Sequence, residues 1–175
     1  MFDIYRADSE EKSRFLLGKR GASSLMVIGL NPSTATREKS DVTASKVAKV
    51  AMQNGFDGFI LANLYPLRAT NPKNLPDTAD SALVQENAQI VVDVVREYSV
   101  SSFWAAWGGD IGRREYFPQS LALIAERLRS PTTRWVHFGP LRKDGHPRHP
   151  SRLSYRWAFH EFEIDAYLQT FKQTP

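Results

Sequence analysis

The sequence predicts a three-layer α/β/α fold whose central sheet has four mainly parallel strands. Short apolar runs alternate with longer amphipathic segments along most of the chain, which is typical of strands joined by covering helices. No repeat, linker or low-complexity segment interrupts this alternation, so we expect residues 1–175 to form a single domain. Residues 1–22 are mixed and charged. We interpret them as an N-terminal extension, for which a short helix near residues 9–17 is one interpretation.

Four apolar runs predict the strands, because a buried strand of a parallel sheet is apolar on both faces. These runs are residues 25–30, 59–62, 100–107 and 133–138. Right-handed crossovers place the carboxyl ends of parallel strands along one rim of the sheet. We therefore expect Asn31, Asn63, Gly108 and a basic loop at 139–154 to lie close together.

Helical periodicity between these runs predicts four helices. They are residues 41–54, 80–98, 118–128 and 155–171. In the first of them Asp41 is the predicted N-cap, and Val47 and Val50 lie on the buried face. Residues 64–76 contain three prolines and two asparagines, so this segment is predicted to be a loop.

Charge is unevenly distributed, although the formal net charge is only +4. Residues 134–156 contain six Lys or Arg and one acid, whereas the rest of the chain has a net charge of −1. Such a basic segment favours a polyanionic or phosphate-bearing partner, and Arg148 and Arg152 are candidate phosphate contacts. We expect a nucleic acid or a nucleotide as the partner. The alternative is a solvated basic loop that binds nothing.

Composition excludes several classes of function. The chain has no cysteine, which rules out disulfides, thiolate chemistry and a Cys-based zinc site. No apolar run approaches about 18 residues, and the opening residues do not resemble a secretory signal. We therefore expect a cytoplasmic protein that does not bind membranes, with a monomer as the favoured state.

Polar residues after the first two strands are candidates for ligand binding. The carboxamide of Asn31 can orient a water or a substrate group, although it cannot act as a general base, and Ser33 and Thr34 add two hydroxyls beside it. Asn63 offers both a donor and an acceptor, which suits the Watson–Crick edge of a nucleobase. For both asparagines the alternative is a local role in a turn. Arg68 is a candidate ligand for phosphate or carboxylate, with a surface role as its alternative.

The late loop supplies a candidate catalytic histidine, His149. Neighbouring cations should keep its ring neutral, and a neutral ring can donate a hydrogen bond to an oxygen that becomes negative in a transition state. The alternatives are a solvent-exposed His149 or a competing role for His146. The two histidines lack helical i,i+4 spacing and a nearby carboxylate cluster, so we expect neither a metal nor another cofactor.

Four motifs in order resemble those of the uracil-DNA glycosylase superfamily. They are GLNP at 29–32, FILANL at 59–64, FWAAWG at 103–108 and HPSRLS at 149–154. In that superfamily they correspond to a strand ending in Gly-x-Asp/Asn-Pro, a strand ending in a base-reading Asn, an apolar strand ending in Trp-Gly, and a late loop reading His-Pro-Ser-Pro-Leu-Ser. The resemblance covers about residues 25–168.

The resemblance implies a uracil-DNA glycosylase-like fold and a role for each matched residue. Asn31 would place the attacking water, Asn63 would read a flipped pyrimidine, and His149 would stabilise the charge on the departing base. Ser151 would contact backbone phosphate, and Leu153 would enter the duplex as a wedge.

Three positions depart from the superfamily pattern, and a closer resemblance lies elsewhere. Asn31 stands where the most active branch has Asp, Ser33 replaces a tyrosine that excludes thymine, and Arg152 replaces the second proline of the late loop. The stretches NPSTA, NLYPLRATNP, AWG and DGHPRHP resemble more closely an uncharacterised bacterial and phage domain family. That family brings no established activity.

Three hypotheses follow. The first is an N-glycosylase that acts on a base in DNA or in a nucleotide, and the second is a non-catalytic module that binds the same ligands. The third is a hydrolase or transferase that works through Ser33 or His149. The third ranks last, because the sequence contains no base–orienter pair and no nucleophile elbow.

Overall fold

The computed structural model describes residues 1–172, and it contains one mixed sheet of seven strands with helices on both faces. The strands are Ile4–Ala7 (β1), Arg14–Lys19 (β2), Ser24–Gly29 (β3), Gly58–Asn63 (β4), Ser102–Ala105 (β5), Arg134–Phe138 (β6) and Phe159–Glu161 (β7). The helices are Val42–Gln53 (α1), Ser81–Glu97 (α2), Tyr116–Arg127 (α3) and Ile164–Lys172 (α4). None of these helices is long and apolar enough to cross a lipid bilayer.

Strand order in the sheet is β1-β2-β4-β3-β5-β6-β7. The four predicted strands form its parallel centre, β4-β3-β5-β6, with Gly29 of β3 beside Asn63 of β4. The α/β class is therefore confirmed, but a sheet of only four strands is wrong, since β1, β2 and β7 add antiparallel pairs at the two edges.

Apolar side chains from both faces of the sheet form two cores. Met26 and Ile28 of β3 pack with residues of α2, α3 and α4 on one face, and Leu25 and Val27 pack with residues of α1 on the other. This alternation follows from the two-residue period of a strand. It confirms the three predicted layers.

Residues 1–22 belong to the sheet, so the interpretation of residues 9–17 as a helix is wrong. β1 and β2 form a hairpin whose turn is held by the Asp8 carboxylate, which accepts the backbone N–H groups of Glu10, Lys12 and Ser13 at 3.1, 2.9 and 2.7 Å. β2 then pairs with β4. Apart from the buried Arg14, the charged residues of this region lie at the turn and at exposed positions, and for this reason they hide the strand pattern.

The last predicted helix is also partly wrong. Of residues 155–171, the first part forms a turn and the edge strand β7, and only the segment from Ile164 is helical. Phe159 pairs with Phe138 of β6, and the two rings lie 4.9 Å apart. This cross-strand contact stabilises a strand where the local sequence also fits a helix.

We expect Leu17→Ala in β2 to lower the free energy of unfolding by about 2–5 kcal/mol, because a fully buried leucine leaves a cavity when truncated. Urea unfolding followed by circular dichroism measures the change. Leu141→Ala, at a leucine that is 38% exposed, is the matched control and should lower the free energy of unfolding by much less, about 0.5 kcal/mol. Equal costs for the two variants would show that the hairpin is not part of the folded core.

Candidate functional site

A cavity of about 660 Å³ lies outside the carboxyl ends of the parallel strands. Chain order reverses between β3 and β5 in the sheet, which is where open α/β sheets leave a crevice for ligands. Seven predicted site residues line this cavity: Asn31, Ser33, Asn63, Arg148, His149, Ser151 and Arg152. The strand ends therefore converge as the sequence indicated, and Thr34, Arg68 and Leu153 do not line the cavity.

Asn63 lies at the end of β4 and is almost fully buried. Its Nδ2 is sealed from solvent and has no hydrogen-bond partner within residues 1–172. A Cβ at Gly29 would lie 2.7 Å from Asn63 Oδ1, so this side-chain position requires glycine in the neighbouring strand. Asn87 of α2 donates to the Asn63 carbonyl at 2.8 Å and holds the strand end in place. A buried amide without a partner is unfavourable until a ligand supplies an acceptor.

Asn31 follows β3 with its amide group fixed. Its Nδ2 donates to the carbonyls of Pro32 and Ala69 at 3.1 and 2.8 Å. Since the NH₂ group is occupied, Oδ1 is the atom of this carboxamide that remains to accept a hydrogen bond. Asn31 can therefore hold a water or a substrate N–H, but it has no basic group with which to remove a proton.

The ring of His149 is held in one tautomer. Its Nδ1 accepts the backbone N–H of Ser151 at 3.2 Å and lies 2.8 Å from Ser151 Oγ. Because a backbone N–H can only donate, Nδ1 carries no proton, and the neutral ring has its proton on Nε2. Burial lowers the pKa of His149, and Arg152 lowers it further, while Asp41 and Asp110 act in the opposite direction. The predicted neutral state is supported, although burial and not the neighbouring cations is its main cause.

Two contacts fix the loop that carries His149. Lys46 of α1 donates to the Ser151 carbonyl at 2.7 Å. A Cβ at Gly108, whose φ is +75°, would lie 3.2 Å from the Cβ of His149, so glycine permits both the backbone conformation and the close approach. His146 does not compete for this position. Its Nδ1 lies 2.8 Å from Tyr167 OH, and neither residue lines the cavity.

Arg68 has a structural role. Its Nη1 donates to the carbonyls of Ser33 and Ala35 at 2.9 and 2.8 Å, and its Nη2 contacts Tyr5 OH and Glu11 at 2.8 and 3.0 Å. The guanidinium ties the hairpin to the segment after β3, and the expectation that it binds a ligand has no support in this geometry.

Thr34 and Leu153 also lie away from the cavity. Thr34 is exposed. Leu153 is half-buried and packs against the core on the α1 face. An exposed wedge at Leu153 would require this loop to move.

Several residues that line the cavity are not indicated by the sequence motifs. Asp41 lines the cavity beside Thr43, and its position as the N-cap of a helix that follows a strand could have indicated this rim. Its Oδ1 accepts Ala44 N–H at 2.8 Å and its Oδ2 accepts Ala35 N–H at 3.3 Å. Asp110, Arg142 and Trp107 also line the cavity, as does Arg14 of β2, which no local pattern singles out.

We expect the His149 ring to titrate below pH 6.5, the ordinary value for histidine, and to keep its proton on Nε2 when neutral. ¹⁵N-resolved NMR of the imidazole measures both properties, with His149→Gln used for assignment. Since the unfolded chain binds this proton more readily than the folded one, His149 contributes stability that is complete above pH 6.5 and is lost as the pH falls below it. A folded-state pKa at or above 6.5, or a proton on Nδ1 of the neutral ring, would contradict the geometry.

Comparison with protein families places the chain in a family without an assigned activity. No curated protein matches the chain. A family model matches residues 14–151, a range that contains β2 to β6 and the cavity residues up to Ser151. This match covers most of the chain, and it provides no link to the uracil-DNA glycosylase superfamily. The chain belongs to the family described as "Protein of unknown function (DUF1643)".

Proposed function

We propose that the cavity recognises a nucleobase and that the protein cleaves its N-glycosidic bond, as enzymes of the uracil-DNA glycosylase superfamily do. The observation that carries this proposal is Asn63, a buried carboxamide at a strand end whose Nδ2 has no partner within residues 1–172. A nucleobase edge pairs an acceptor with a neighbouring donor, which is the pattern that a carboxamide complements.

His149 would act on the departing base. The bond between the sugar C1′ and the base nitrogen breaks with both electrons going to the base, so negative charge collects on the base carbonyl oxygen. The neutral, buried ring carries its proton on Nε2 and can donate it in a hydrogen bond to that oxygen. The fixed tautomer supports this role, because no rearrangement is needed during the reaction.

Asn31 would position the water that attacks C1′. With its NH₂ group held by two carbonyls, Oδ1 can accept a hydrogen bond from a water and orient the oxygen lone pair toward the sugar. In a dissociative reaction the water becomes strongly acidic only after the C–O bond forms, so its proton can pass to solvent and a strong base at Asn31 is not required.

A second candidate function is binding of the same ligand without turnover. The amide of Asn31 favours it, because this group can orient a water but cannot speed its attack by removing a proton. Asp41 does not supply a general base in place of Asn31, since both of its oxygens already accept backbone N–H groups. Such a module would bind nucleotides or single-stranded nucleic acid with an affinity that falls as salt rises.

We expect the protein to release free base from single-stranded oligonucleotides, mismatched oligonucleotides or nucleotides. Chromatography measures the released base, and the substrates should contain each of the common and deaminated bases. His149→Ala and Asn31→Ala should each slow release about 10²–10³-fold, because each removes a group that acts on the transition state. Asn63→Ala should mainly weaken substrate binding.

Two exposed residues outside the cavity provide matched controls, His160→Ala and Asn74→Ala, and neither should change the rate. Absence of release from every base, together with salt-dependent binding that Asn63→Ala weakens, would favour the non-catalytic module. Absence of both release and binding would refute the two candidate functions together.

A further inference from the structure

Arg14 is a buried cation without an acidic partner. Its side chain is 2% exposed, and none of the ion pairs within residues 1–172 includes it. Its Nη1 donates to the Ala35 carbonyl at 3.0 Å, and its Nε is sealed from solvent with no partner. Buried charges are normally paired or fully hydrogen-bonded, because desolvation is costly. Arg14 also lines the cavity.

A bulge in the amino-terminal hairpin turns Arg14 toward the cavity. Arg6 pairs with Leu16, but Ala7 pairs with Arg14, so Phe15 is an extra residue in β2. Without a bulge, alternation would place Phe15 on the same face as Leu17. Phe15 and Leu16 instead both pack into the core on the α2–α3 face, whereas Leu17 packs on the α1 face. The extra residue thus returns Arg14 to the α1 face of the sheet, the face from which Leu61 of β4 lines the cavity.

Charges of both signs lie near Arg14, but none of them pairs with it. Arg68 donates to the same Ala35 carbonyl, at 2.8 Å, but Arg68 has Glu11 as its counterion. Burial, followed by the charge of Arg68, lowers the pKa of Arg14 to about 10, so it stays a cation at neutral pH. Asp41, Tyr5 and Glu11 act in the opposite direction, but none of them forms an ion pair with Arg14. Across the cavity, four arginines and two aspartates give a net positive lining.

We propose that Arg14 forms an anion subsite within the cavity and that the ligand is a free nucleoside monophosphate, whose terminal phosphate contacts this guanidinium. This inference rests on base recognition at Asn63 as the proposed function. A phosphate supplies several acceptor oxygens to the planar donor fork of an arginine. The phosphate would neutralise a buried arginine that lacks an acidic partner in the described part of the chain.

Burial of Arg14 selects a terminal phosphate over an internal one. An internal phosphodiester has a nucleotide on each side, so a continuous strand would need an extended surface along Arg14, whereas this residue is only 2% exposed. A cavity of about 660 Å³ has the size of a site for a complete small molecule, and a mononucleotide has its phosphate at one end. The base and the phosphate can then occupy the same cavity.

Titration calorimetry with dUMP, deoxyuridine and inorganic phosphate tests the subsite independently of turnover. Wild-type protein should bind dUMP about 10-fold to 100-fold more tightly than deoxyuridine, the range expected for one charge-assisted hydrogen-bonded contact. Arg14→Met should lose this preference while keeping its affinity for deoxyuridine. Arg14→Lys should keep part of the preference, because it retains a cation. Arg96→Met, at an exposed arginine of α2 outside the cavity, should behave as wild type.

Thermal unfolding separates a ligand-binding role of Arg14 from a structural one. The ligand-free Arg14→Met variant should melt at or above the wild-type temperature, because methionine removes an uncompensated buried charge and the Ala35 carbonyl keeps its bond from Arg68. dUMP should raise the melting temperature of the wild type and not that of the variant. A variant that is less stable than wild type, or does not fold, would mean that Arg14 is structural and would overturn the proposal.

The remaining outcomes distinguish this proposal from the proposed function. Equal affinity for dUMP and deoxyuridine in the wild type would overturn the anion subsite and leave base recognition standing. Phosphate binding that requires Arg14, with no binding of either nucleoside compound, would support the subsite and refute base recognition. Tighter binding of an oligonucleotide without terminal phosphates, with equal dependence on Arg14, would overturn the choice of a mononucleotide.

Discussion

The site depends on the contact between Gly29 and Asn63 in neighbouring parallel strands. Parallel register places the two residues side by side, and the missing side chain of Gly29 leaves the space that the Asn63 carboxamide occupies. Any larger residue at Gly29 would displace this carboxamide or separate the strand ends. The remaining walls are arranged around it, because the turn at Asn31 and the loop at His149 both continue from the same rim. Backbone pairing in the sheet therefore determines the side-chain chemistry of the cavity.

The parallel centre of the fold could be predicted because its signals are local. Each central strand is a continuous apolar run, and each covering helix has an apolar stripe, so Leu25–Leu30 and the helix after Asp41 can be recognised without knowledge of their neighbours. The edge strands could not be recognised in this way. β2 is stabilised by pairing with β4, and β7 by the contact of Phe159 with Phe138. Such partners are distant in sequence, and local propensity alone does not indicate them.

The same distinction explains which site residues could be predicted. Asn31, Asn63 and His149 stand at strand ends or in a motif, and the sheet brings them to one cavity. Arg68 was expected at the site and Arg14 was not, and the structure reverses the two. Arg68 lies in a loop beside the site but is used to hold the backbone together, whereas Arg14 opens a strand and faces the cavity only because of a bulge. A one-residue irregularity in strand pairing leaves no pattern in the sequence.

The bond from Lys46 to the Ser151 carbonyl joins positions 105 residues apart, and it has a consequence for the order of folding. The wall formed by β3, α1 and β4 uses contacts that are close in the chain, so it can form early and within one crossover unit. The His149 loop reaches that wall only after four more helices and strands (α2, β5, α3 and β6) have been placed between them. Closing so long a loop is entropically unfavourable until the sheet supports it. A chain still emerging from the ribosome would thus place Asn63 well before His149, and the cavity would be completed late in folding.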